Sequence, residues 1–264
     1  PRDLHRLIRR QRQMCIRDRS TIPPDTPPAW TSMFTGKNPG KHGIYGFLSC
    51  RPTLNSKGNN YTFRLVSSKD VKAKRIWNIL SDENMKSIVI NVPLTYPPEK
   101  IDGLLISGFM TPSFDSNFTY PPWLKYILKK RGYDIGVLYA QSRYTLSELI
   151  YSIRAKKQVA KFLLKKYPWN LAVIVFMESD QVMHKYWLNK DALAIIFREL
   201  DLAIREILTN IPKDTVIVIA SDHGFNEYKR TIYINNLLWK LHLLKVDYKK
   251  LLKLALSKLR NPTQ

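Results

Sequence analysis

The chain has 264 residues, 44% of them hydrophobic and 11% aromatic, so it can bury a sizeable core, and disorder or a collagen-like repeat is excluded. Lys and Arg number 43 against 21 Asp and Glu, a formal net charge of +22, which governs solubility and attraction to anions rather than fold. Two cysteines, Cys15 and Cys50, are too few for a disulfide framework, and no apolar run approaches the roughly 20 residues of a membrane span, so the expectation is a soluble, cytoplasmic protein. The charge admits nucleic acid or an anionic membrane as partner. The basic residues are nevertheless spread widely, with no zinc-finger, recognition-helix or RNA-binding motif beside them. A small phosphate-bearing substrate fits the same basic field. Oligomeric state is not legible.

Residues 1–19 differ from the rest, with seven Arg, two Asp and no Lys in an otherwise Lys-rich chain. The stretch Met14-Cys15-Ile16-Arg17-Asp18-Arg19 resembles a translated sequencing-adapter scar, which would leave 1–19 outside the fold; a basic arm is the alternative. From Ser20 the chain reads as alternating strands and helices, one partial domain over 20–264. Pro27 and Pro28 suit a first helical turn, with Thr26 as N-cap, where free N–H groups and the helix dipole favour an anion. A short helix is expected over 72–80, and strands over 88–92, 104–107 and 135–139. Thr145-Leu146-Ser147-Glu148 is a capping box that starts a helix running to about Lys166. Residues 171–177 (LAVIVFM) and 215–220 (TVIVIA) are apolar on both faces, as strands of a covered parallel sheet are. Between them, 190–209 has apolar residues at helical spacing. Strands alternating with helices predict an α/β fold: a mostly parallel central sheet with helices on both faces. Residues 101–133, rich in Pro, Phe and Ser, are read as a substrate-contact segment or cap. A basic amphipathic helix is expected over 249–259.

Two strand ends carry chemistry. Residues 171–177 lead into Glu178-Ser179-Asp180-Gln181-Val182-Met183-His184, and 215–220 into Ser221-Asp222-His223-Gly224-Phe225. Ligands of open α/β sheets gather outside the carboxyl ends of the strands. Asp180 and His184 lie four apart, on one face of a helical turn. Asp222 and His223 are adjacent, with Gly224 permitting a tight turn behind them. Carboxylate plus imidazole is a mixed ligand set suited to zinc or manganese. Taken singly, each pair has a plain structural alternative, a surface ion pair for the first and a turn for the second.

In order, STIPPDTPPAWTSMFTGKNPGKHGIYGF, INVPLTYPP, SDQVMHKYW, SDHGF and YINNLL resemble the alkaline phosphatase superfamily, in its type I phosphodiesterase and nucleotide pyrophosphatase branch, especially the archaeal-type phosphohydrolases or phosphomutases. The resemblance implies an alkaline-phosphatase-like sandwich and a two-metal displacement at phosphorus. It implies a nucleophile nine residues before the Thr35-Gly36 pair, which is Thr26. It implies Asp180 and His184 on one divalent metal, and Asp222, His223 and the nucleophile on the other. Phosphomutases, sulfatases and phosphonate hydrolases share this constellation. A basic nucleic-acid-binding protein with inert metal motifs is the rival of another class.

The sequence departs from the family pattern in three places. The family takes a further ligand Asp from a strand ahead of the nucleophile, where this chain has Asp3 and Asp18 without an apolar strand. It takes a late His, whereas the only His after His223 is His242, in an apolar setting read as structural. The pyrophosphatases place a phosphate-binding Asn after His-Gly-Ile, but Tyr45, Gly46 and Phe47 follow His42-Gly43-Ile44, and His42 reads as a packing residue. The expectation is therefore a fragment lacking one ligand at each end.

Overall fold

Strand β3 (Ser87–Val92, SIVINV) is buried at every position, as expected of a run apolar on both faces. The computed structural model describes residues 20–55, 58–133, 144–227 and 231–245. The chain divides into two units, residues 1–225 and 226–264. The first holds helix α1 (Thr26–Thr35), a short α2 (Pro39–His42), strands β1 (Leu48–Asn55) and β2 (Gly58–Leu65), and helix α3 (Ile76–Asp82). After β3 come β4 (Gly103–Ser107), β5 (Thr119–Tyr120), α4 (Leu124–Lys130), α5 (Leu146–Lys166), β6 (Leu171–Ile174), α6 (Glu178–Tyr186) and α7 (Lys190–Leu208). The second unit contains α8 (Ile234–Lys240), after which exposed His242 takes a left-handed φ of 56°.

The main sheet has the order β5-β4-β3-β6. β3 runs parallel to β4, with Ser87 opposite Gly103 and Ile90 opposite Ile106. It runs parallel to β6, with Ser87 opposite Leu171 and Ile90 opposite Ile174; β5 is antiparallel to β4. At the shared start, Gly103 has a φ of 137°, and a Cβ there would stand 1.9 Å from the carbonyl oxygen of Ser87, so only glycine allows this approach. The fold is thus α/β with a mixed, mostly parallel sheet and helices around it. Trp77, Leu105, Ile106, Phe118, Leu124 and Leu128 are fully buried in its core, each contributing about 1.5–3 kcal/mol on removal from water. Residues 101–133 supply β4, β5 and α4, and so build one side of this core.

Helix α5 starts where the capping box places it. Thr145 accepts from the backbone N–H of Glu148, and the Glu148 carboxylate accepts from that of Thr145. Helix α1 starts one residue earlier than expected: Asp25 is the N-cap and Thr26 the first helical residue. The Asp25 carboxylate accepts from Thr26 N at 3.0 Å, and a carboxylate is as good a cap as a hydroxyl.

Residues 215–220 overturn the strand expectation: they carry no regular secondary structure, and Val216 and Val218 are 85% and 79% exposed. A strand is a paired state, and among the described residues the sheet ends at β6 without adding this run to its ladder. The hairpin of β1 and β2, registered from Leu48 opposite Leu65 to Asn55 opposite Gly58, was not anticipated. Its signal was the turn chemistry of Asn55-Ser56-Lys57-Gly58 between two alternating runs. The expected strand at 135–139, the helix at 249–259 and the segment 1–19 lie outside the described residues.

Candidate active site

The parallel strands run the same way, so the segment after β6 emerges beside the end of β3 at the carboxyl edge of the sheet. The Val175 N–H still reaches Ile90 O at 3.0 Å, and α6 begins at Glu178. Helical spacing then brings Asp180 and His184 to one face, with Nε2 of His184 3.5 Å from Oδ1 of Asp180. Asp180 Oδ1 is buried and has no hydrogen-bond donor. Burial pushes the Asp180 carboxyl above its usual range, against the opposing pull of His184 and His223.

The second pair lies on the loop after the exposed run. Oδ2 of Asp222 is 3.3 Å from Nε2 of His223. Burial raises the Asp222 carboxyl too; His223 opposes the shift and the charge of Asp180 adds to it. The loop is tied to the start of α1: Ser20 Oγ donates to the carbonyl of Asp222 at 2.8 Å. His223 Nδ1 lies 2.9 Å from the carbonyl of Gly224. A carbonyl only accepts, so Nδ1 carries a ring proton, and Nε2 is the ring nitrogen that faces the Asp222 carboxylate. That nitrogen stands 3.2 Å from Oγ1 of Thr26, bringing together residues 197 positions apart. Gly224 plays no special part in this turn: its φ lies outside the left-handed range, and a Cβ there would meet nothing within 4 Å.

All five residues singled out by sequence, Thr26, Asp180, His184, Asp222 and His223, therefore fall into one region, as two Asp–His pairs with Thr26 against the second. His42 stands apart, buried, its Nδ1 accepting from Ile44 N at 3.2 Å and its Nε2 2.9 Å from Ser32 Oγ. Burial, with nearby Arg75 adding, lowers its pKa, which suits a neutral packing residue. Four further residues shape the site without having been picked from the sequence. Phe225 meets the His184 ring edge-on at 4.8 Å and Trp187 at 5.0 Å. Tyr144, pushed up to about 12 by burial and by the charges of Asp180 and Tyr186, donates to the carbonyl of Gln181 at 2.6 Å. Glu178 lies buried two residues before Asp180. Of these Phe225 and Trp187 had a signal, as the last residues of the segments SDHGF and SDQVMHKYW.

The donor chemistry fits divalent cations. Two desolvated carboxylates, one with a buried oxygen that receives no hydrogen bond, would have their burial offset by a bound cation. His223 has the proton arrangement typical of a metal-bound imidazole, with the far N–H on a backbone carbonyl. Each pair offers only two side chains, and among the described residues no group of three His, Cys, Asp or Glu converges as a complete metal site would.

Comparison with known proteins decides the family. The family model for type I phosphodiesterase / nucleotide pyrophosphatase matches residues 3–262. The chain belongs to this family. A search of curated proteins finds no match. Among solved structures the chain is similar to the phosphonoacetate hydrolase of Sinorhizobium meliloti 1021, crystallised with phosphonoacetate, at a TM-score of 0.59 and 17% identity. The alignment covers 85% of this chain and 52% of that one, so the chain spans about half the neighbour's length. At that identity the likeness is one of fold. Among the described residues no helix of this family member is long and apolar enough to cross a membrane.

Proposed function

We propose that the chain carries the catalytic residues of a phosphoryl-transfer hydrolase, acting on a small phosphate ester or diester through a threonine nucleophile and two divalent metal ions. The observation that carries this reading is the 3.2 Å approach of Thr26 Oγ1 to His223 Nε2, which sets the one hydroxyl at the start of α1 against a metal-binding motif. Thr26 is 7% exposed and held at the first helical position by the Asp25 cap, where the positive end of the helix dipole favours an anionic substrate oxygen. Asp180 with His184, and Asp222 with His223, would hold the two ions; zinc and manganese suit this donor set. Ions bound there would withdraw charge from the phosphoryl oxygens and lower the pKa of the attacking hydroxyl.

In the chemical step, Thr26 Oγ1 forms a bond to phosphorus as the bond to the leaving alcohol breaks. The hydroxyl proton passes to solvent and the departing alkoxide takes one up from solvent, which leaves the lone pair of His223 Nε2 for the ion it would hold. The resulting phosphothreonine is cleaved by water, which restores the hydroxyl and releases phosphate or the shorter ester. Phe225 packs on both the His184 and the Trp187 ring and so fixes the orientation of the His184 imidazole.

Bis(4-nitrophenyl) phosphate hydrolysis in the native protein, with added manganese or zinc, tests the reading. Thr26→Ala should lower kcat by about a thousandfold or more, and Thr26→Ser should retain measurable turnover, because only the serine keeps a hydroxyl. Near wild-type turnover by Thr26→Ala would overturn the nucleophile assignment. Chelator-resistant turnover would overturn the metals. Phosphonoacetate, the ligand of the structural neighbour, is the second substrate to assay. A protein that does not turn over either substrate and binds nucleic acid with a steep salt dependence would instead be the basic binder that its charge admits.

A further inference from the structure

Helix α6 opens with a carboxylate in the protein interior. Glu178 is 0% exposed and Lys156 2% exposed. Lys156 Nζ donates to both oxygens of Glu178, at 2.9 and 3.0 Å. Ser152 Oγ donates to the first of them at 2.6 Å. Ser152 and Lys156 are four apart on α5 and so share the face turned to α6. The Lys156 ammonium also lies 5.3 Å from the ring centroid of Phe176, just ahead of α6. The other cations of this stretch of α5 find partners nearer the surface: Arg154 on Glu199, and Lys157 and Lys161 on Glu206.

A buried ion pair is a poor source of stability, since two charges must be stripped of water to make it, and an apolar pair of the same volume holds a fold together as well or better. What it provides is direction. A carboxylate gripped on both oxygens by an ammonium and on one by a hydroxyl is fixed in place and rotation. Here that carboxylate belongs to the first residue of the helix that carries Asp180 two positions on and His184 one turn later. The Met177 N-cap supplies no side-chain hydrogen bond to this helix, so the grip on Glu178 does the anchoring that a cap would otherwise do. Metal-ligating side chains lose affinity when the groups that orient them are removed.

We propose that Ser152, Lys156 and Glu178 form a positioning cluster that sets the first turn of α6 and thereby aims Asp180 and His184 at their metal; this rests on the metal-site reading above. The test replaces the charged pair by an apolar one of similar volume, Lys156→Met with Glu178→Met. The double variant should melt cooperatively near the wild-type temperature. Its affinity for manganese, measured by calorimetry, should fall at least tenfold. Amide hydrogen exchange without metal should speed up over residues 179–184 and stay unchanged in α7. Lys156→Arg, which keeps two donors, should restore most of the affinity. If the double variant does not fold, Glu178→Gln, neutral and isosteric, is read in the same two assays.

Wild-type manganese affinity together with wild-type exchange in the variant would overturn the proposal. If the unmutated protein binds no manganese, the metal reading falls, and the exchange arm alone decides the positioning: faster exchange confined to 179–184 supports it, and an unchanged pattern overturns it.

Discussion

The two Asp–His pairs look equivalent in sequence, each following a short run of β-branched residues, yet they are held by different means. Asp180 and His184 follow β6, which is laddered to β3, and ride on a helix whose first residue is locked to α5 through Lys156. Asp222 and His223 follow residues 215–220, which lie outside the described sheet and are largely exposed. Their loop meets the segment that carries Thr26, through Ser20 to the Asp222 carbonyl and Thr26 to His223, and meets the end of α6 through the Phe225 ring. One half of the site is thus referenced to the core and the other to the start of α1 and the end of α6. A metal-binding motif needs a fixed backbone, and a ladder, a buried ion pair or a neighbouring loop can each supply one.

The strongest way to break this comparison is to remove one carboxylate from each half. Asp180→Asn and Asp222→Asn should each eliminate one of two manganese equivalents in calorimetry and lower phosphodiester turnover by more than the roughly 10–100-fold that an outer partner costs; loss of both equivalents in either variant would mean the halves bind as one. Next comes the support beneath each half. Ile90→Ala, in the centre of the ladder, should cost about 2–5 kcal/mol in urea unfolding, whereas Val218→Ala in the exposed run should stay within about 0.5 kcal/mol. Equal costs would show that 215–220 is covered in solution.

A smaller effect is expected from Ser20→Ala, which removes one tie of the second half. Turnover should fall a few-fold to roughly tenfold, the worth of one hydrogen bond of about 0.5–1.5 kcal/mol, with manganese affinity at the first half unchanged. The smallest concerns acid. Arg64 donates to Asp70 and holds its carboxyl down at about 2, helped by Ser67. A folded pKa below the unfolded value near 3.9 stabilises the fold at pH values above about 4. That contribution fades as pH falls through about 2, by about 1 kcal/mol or less for a pair at the surface. Asp70→Asn should flatten this part of the stability profile, which separates it from the behaviour of the site.

Much of the site was legible because its chemistry is local in sequence. Asp180 and His184 are one helical turn apart, Asp222 and His223 are neighbours, and the proline pair marks the start of α1 at Thr26. The strand at β3, the capping box at Thr145 and the long amphipathic α7 were legible for the same reason: periodicity and capping are decided within a few residues. The hairpin at Leu48–Leu65 was missed because neither strand is strongly apolar, and its turn chemistry went unweighed. Glu178 and Lys156 could not be paired in advance, since a charged residue in a helix is ordinarily a solvated one.

Residue order alone determined the α/β alternation, the ends of the long helices and the spacing of the two Asp–His pairs, because these depend on distance along the backbone. The tertiary structure decided which apolar runs became strands. LAVI joined β3 and TVIVIA did not, although both have the β-branched character of a strand, because a strand exists only where a partner accepts its hydrogen bonds. It also decided that Thr26 meets His223 and that Lys156 goes inside to hold Glu178. Such contacts join residues tens to hundreds of positions apart, and packing brings them together at a cost in desolvation and chain entropy that no local pattern in the sequence records.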